Sequence, residues 1–271
     1  MQYSPQGYSQ LPTGVKNLLI INVLFYLATV VVRNSLGYDL DEYLALYSVQ
    51  SSHFGVWQYL TYQFMHGSFA HIFLNMFSLW MFGTVLENYW GTKRFLLYYL
   101  ICGAGAGLTH TLVNGIGIQI AQNAVNLYAQ DPNPDNFIQL CQHSFRGSFN
   151  PQVLSEVVSQ WKGGMDYSQS SIAMAQSLVD AKAAIPTVGA SGAVYALLLA
   201  FGMMFPNNKI YLYFLVPIKA KWFVIGYGLI ELYNGIAGTS DGIAHFAHLG
   251  GMIFGIFLIL YWKKNSFNRW N

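Results

Sequence analysis

Ser191 opens the apolar run GASGAVYALLLA, and His245 and His248 open a second, AHFAHLGG. A hydroxyl and an imidazole brought within hydrogen-bond reach make a nucleophile and its general base. A third run, HGSFAHIFLN, carries His66, His71 and Asn75, of which His71 and Asn75 are four apart and share one helical face. Their N–H groups are of the kind that stabilises the oxyanion of a tetrahedral intermediate, beside the free backbone amides of a helix beginning near Ser191. Tyr195 follows one turn later, where its ring can hold an imidazole in place. A soluble triad uses Asp for that task, and this set is complete without a carboxylate.

Two stripes of small residues decide which histidine meets the serine. Gly192, Ala196 and Ala200 recur every four residues after Ser191, and Gly251 and Gly255 do the same after His248. Such stripes let two helix backbones approach closely. His248 lies three residues before Gly251 and seven before Gly255, so it shares their face and is the expected base; His245 lies one turn nearer the water. His66, His71, His245 and His248 could also satisfy zinc. The chain has no HExxH motif and no carboxylate beside these histidines to serve as base, so neither metal nor cofactor is expected. Glu87 and Glu231 fall at the ends of apolar runs and read as carboxylates facing headgroups, and His110 reads as an interface residue.

The elements that must position these groups follow from composition. Of 271 residues, 54% are hydrophobic and 9% charged, with mean hydropathy +0.35, whereas soluble domains carry about a quarter charged residues. The chain cannot clothe a water-facing globule, and the class is an all-α polytopic membrane protein. A net charge of +2 makes no polybasic footprint, which excludes nucleic acid as a partner. Cys102 lies in an apolar run and Cys141 in a polar one, so no disulfide framework is expected.

A bilayer core of about 30 Å needs roughly 20 apolar helical residues. Six stretches qualify: 15–32, 69–86, 95–113, 188–205, 222–237 and 243–262. Nine basic residues then fall on the side of the N-terminus and four (Arg33, Arg146, Lys162, Lys182) on the other, which makes both termini cytoplasmic. Residues 1–14 and 263–271 are tails on that side, and the first lacks the marks of a cleaved signal. Residues 34–66, rich in Trp57, Tyr59, Tyr62 and Phe64, suit an element lying at the outer interface. Residues 114–186 form a long extracytoplasmic loop insertion in which QVLSEVVSQW and SSIAMAQSLVDAKAA read as short amphipathic helices.

At these residues the chain resembles the rhomboid family of intramembrane serine proteases, from about residue 15 to 262. The matches are His66, His71 and Asn75 in HGSFAHIFLNM, Gly189-Ala190-Ser191-Gly192 with Tyr195 after it, and Ala247-His248 followed by Gly251 and Gly255. The resemblance implies a six-helix bundle with a water-filled cavity open to the outer side, in a bacterial inner membrane. It also implies a Ser191–His248 dyad, with His66, His71, Asn75, Gly189 and Tyr195 in support, and cleavage of transmembrane substrates near a small residue without any cofactor. Membrane lipid and transmembrane proteins are the partners it implies. The chain departs from the family in its long third loop and in lacking a Trp-Arg pair after the first span. A catalytically inactive relative that binds membrane clients is the alternative; a pseudoenzyme has no reason to keep Ser191, His248, His71 and Asn75 together.

Overall fold

A computed structural model describes residues 11–212, 215–238 and 243–267. Its helices of ten or more residues are α1 (Thr13–Leu36), α2 (Phe69–Trp90), α3 (Thr92–Tyr128), α4 (Pro134–Ser144), α5 (Pro151–Lys162), α6 (Ser168–Ala183), α7 (Ser191–Met204), α8 (Ala220–Ala237) and α9 (His245–Phe267). One antiparallel hairpin, β1 (Lys209–Leu212) with β2 (Val216–Lys219), joins α7 to α8 and pairs Ile210 with Ile218. The chain divides into two units: one of residues 1–46, 55–110 and 186–271, the other of 47–54 and 111–185.

Four helices among the described residues are long and apolar enough to cross a bilayer, namely α1, α2, α3 and α9, rather than the six expected, and α3 runs from the first unit into the second. The fourth expected span, 188–205, shortens to the 14 residues of α7 because Gly189 turns the chain at φ +123 before the helix begins. The fifth becomes α8, whose apolar run is broken by Lys221, Glu231 and Asn234. Ten of the 14 residues of α7 are buried. A helix apolar on every side belongs at the centre of a bundle, and this one packs against α2, α8 and α9.

Glycine sets how closely the central helices approach. A Cβ on Gly251 would lie 2.0 Å from the Gly192 carbonyl oxygen, and one on Gly255 would lie 2.3 Å from the Tyr98 hydroxyl. That hydroxyl donates to Ala196 O at 2.8 Å, tying α3 to α7.

α1 has its own cap. Glu87, expected among headgroups, is buried at 3% exposure and accepts the Gly14 and Val15 N–H groups at 2.7 Å each. An anion there satisfies two of the amides that a helix start leaves unpaired and complements its dipole. The segment expected at the interface is partly interior: Tyr62 is buried and donates to Gly103 O at 2.7 Å, whereas Trp57 is exposed.

The second unit has a core of its own. Ile118, Ala121, Val125 and Tyr128 from α3 share it with Phe137, Leu140 and Cys141 of α4, Val157 of α5, and Ala175 and Val179 of α6. Asn133 and Asn150, each followed by proline, cap α4 and α5 by accepting from Asn136 N–H and Gln152 N–H, both at 2.9 Å. Proline at a first helical position loses no hydrogen bond. Cys102 and Cys141 are both buried free thiols, and burial pushes the Cys141 thiol up to about 11.

Candidate active site

The site begins with a turn that only glycine can make. Gly189 adopts φ +123, its N–H donates to Tyr62 O at 2.9 Å, and a Cβ on it would lie 2.6 Å from His71 Nε2. The turn starts α7 at Ser191, leaving the first amides of that helix without intrahelical acceptors.

Across the glycine contact, α9 presents His248. Its Nε2 lies 2.8 Å from Ser191 Oγ. Tyr195 lies flat on the imidazole, with ring centroids 4.0 Å apart and planes inclined by 6°. His71, Asn75, Ser191, Tyr195 and His248 all line one cavity of about 870 Å³, which continues between apolar side chains such as Leu198 and Phe223.

On α2, Ser68 caps the helix by accepting from His71 N–H at 3.2 Å. Asn75 is buried and donates one amide hydrogen to His71 O at 3.1 Å. An amide has two such hydrogens, so a second remains for the cavity. His66, also buried, meets the edge of the His71 ring at 5.0 Å. His110 pairs through Nε2 with Thr187 Oγ1 at 2.9 Å.

The family model described as Rhomboid domain matches residues 53–118 and 167–265, which is 165 of the 271 residues. The chain belongs to the rhomboid family. Rhomboid relatives include a mitochondrial protein of Schizosaccharomyces pombe, named as uncharacterized, at 27% identity over 78% of this chain and 52% of its own length. Mitochondrial RHOMBOID-like protein 12 of Arabidopsis thaliana is 25% identical over 71% of this chain and 42% of its own. Rhomboid protease GlpG of Haemophilus influenzae is 30% identical over 36% of this chain and 50% of its own. The chain spans about half the length of the curated relatives it matches. It is an integral, multi-pass membrane protein of this family.

One residue of this rhomboid site escaped the sequence reading. Glu231, on α8, is 5% exposed and faces inward. Its Oε1 accepts from the Tyr195 hydroxyl at 2.5 Å, and its Oε2 lies 2.7 Å from His245 Nδ1 and 2.9 Å from His248 Nδ1. The His248 approach is off the line of the N–H, since Nδ1 makes no aligned hydrogen bond, so that contact is mainly Coulombic. A carboxylate therefore does stand beside the histidines. The available signal was a carboxylate inside an apolar run, which a bilayer rarely tolerates without a role.

Glu231, His245 and His248 also offer three ligand atoms within 4.8 Å of one another, a set that could hold a metal. Tetrahedral zinc with bonds of about 2.0–2.1 Å spaces its ligands by about 3.3 Å. The nitrogen–oxygen separations of 2.7 and 2.9 Å are shorter than that spacing.

Proposed function

We propose that this chain is an intramembrane serine endopeptidase that cleaves transmembrane protein substrates near the outer membrane face. The reading rests on the 2.8 Å approach of His248 Nε2 to Ser191 Oγ in a cavity shared with His71 and Asn75. His248 takes the Ser191 proton as Oγ attacks the scissile carbonyl carbon, and the carbonyl π electrons move onto oxygen. The Ser191 N–H, the His71 imidazole and the free Asn75 amide hydrogen stabilise that oxyanion. As the intermediate collapses, the C–N bond breaks and the proton on His248 passes to the leaving amine. Water then attacks the acyl-enzyme with His248 again as base, releasing Ser191.

The same proposal places both termini in the cytoplasm and residues 114–186 outside, with 120–180 an accessory module on a catalytic domain over 15–262. Membrane lipid surrounds that domain. The deciding experiment incubates the purified full chain with a generic single-span substrate beside Ser191→Ala. Cleavage by the first and none by the second is expected, and wild-type chain that binds the substrate without cutting it would make this a client-binding protein instead.

A further inference from the structure

We propose that Glu231 is a positioning residue that fixes the tautomer of His248 and orients its ring toward Ser191, an inference that rests on the proteolytic reading above. To accept the serine proton, neutral His248 must keep Nε2 bare and carry its proton on Nδ1. Glu231 Oε2, 2.9 Å from Nδ1, selects that form, because the other tautomer would set the Nδ1 lone pair against a carboxylate. Once His248 has taken the proton, the same oxygen faces the imidazolium in a site where low dielectric strengthens the attraction. The resting approach is off-line, and such contacts commonly align only when substrate is bound.

What holds the carboxylate is as specific as what it holds. Tyr195 donates to Oε1 at 2.5 Å while stacking on His248, so one side chain clamps the imidazole face and anchors the group facing its edge. His245 Nδ1, 2.7 Å from Oε2, is the donor of its pair because an ionised carboxylate only accepts. Glu231 thereby joins α7, α8 and α9 at one point. A purely architectural role for the same contacts makes different predictions from a positioning role.

The test uses full-length protein in detergent micelles. With histidine labelled by nitrogen-15, the His248 signals, assigned by their loss in His248→Ala, should show a proton on Nδ1 and a bare Nε2 at neutral pH. In Glu231→Gln, kcat on a single-span substrate should fall by at least about 100-fold, the low end for a disabled general base, at unchanged KM. Glu231→Asp should recover part of the loss. An Nε2-protonated His248 in the wild type overturns the proposal, and so does a Glu231→Gln variant with wild-type kcat or with a loss confined to KM and melting temperature. The tautomer is read without turnover, so it decides the matter even where the Gln variant fails to fold. Wild-type protein that shows the Nδ1–H form yet never cleaves would defeat the proteolytic reading and leave the Glu231 contact standing.

Discussion

A methyl group on Gly251 would stand 2.0 Å from the carbonyl oxygen of Gly192, an atom that belongs to backbone and cannot rotate away. The two helices that carry Ser191 and His248 are therefore in contact at main-chain distance, one turn from the pair itself. Gly251→Ala must push α9 from α7, and overpacking of this sort costs about 1–3 kcal/mol. Substrate cleavage should fall far more than stability does, because the 2.8 Å Ser191–His248 approach opens with the helices. Gly226→Ala, where a Cβ meets nothing within 4 Å, should leave both melting temperature and cleavage unchanged. Equal activity in the two variants would show that helix spacing does not govern the site.

His71 and Asn75 should separate from the dyad by the size of their effect. Removing one oxyanion donor commonly costs about 100- to 1000-fold in rate. Asn75→Ala and His71→Ala should each keep a measurable remainder in a sensitive peptide assay, whereas Ser191→Ala should show none. Full activity in Asn75→Ala would remove that amide from the mechanism.

Glu87 predicts a loss of stability without a loss of chemistry. Glu87→Ala strips the acceptors from Gly14 N–H, Val15 N–H and the Thr92 hydroxyl, which lies 2.6 Å from Oε1. Each buried donor left unpaired costs about 1–3 kcal/mol. The melting temperature should drop clearly, while fluorophosphonate labelling of Ser191 well below that temperature should proceed at the wild-type rate.

Residues 120–180 hold no member of the proposed catalytic set, and the core formed around Phe137, Leu140 and Val179 belongs to the second unit. Replacing them with a short Gly/Ser linker should leave cleavage of a generic substrate intact. Thr187, which pairs with Leu46 through two backbone hydrogen bonds of 2.9 and 2.8 Å, stays in place in that variant. Loss of all activity in a well-expressed, monodisperse variant would show that the module is part of the catalytic machinery.

The proximity of Ser191 to His248 was legible because stripes of small residues on two helices state, in sequence, which faces can meet. Glu231 was not, although Gly228 and Gly235 lie three residues before it and four after it and face α9, because the carboxylate itself interrupts the apolar run that carries it. The length of α7 was hidden for a different reason. Hydropathy continues across Val188, Ala190 and Ser191, and only the positive φ of Gly189 ends the extended chain there. The continuation of α3 to Tyr128 was obscured by the polar residues from Asn114 onward. Yet Ile118, Ala121, Val125 and Tyr128, spaced by three and four, carry the helical period into the second core.

On the proteolytic reading proposed above, the brevity of α7 sets the terms on which a polypeptide would be cut. Fourteen residues at about 1.5 Å each reach about 21 Å, and the exposed Lys209 and Lys219 just beyond its far end mark the water boundary on that side. In a hydrocarbon layer of about 30 Å, Ser191 then lies roughly 10 Å beneath the opposite surface. At that depth a membrane-spanning segment keeps its amides and carbonyls bonded to each other, and the carbonyl to be attacked is shielded by its own coil. On that reading, hydrolysis would wait for the segment to unwind locally. The rate at which different sequences are cut should therefore rank by how readily they fray in lipid, with glycine- and proline-bearing stretches ahead of leucine-rich ones.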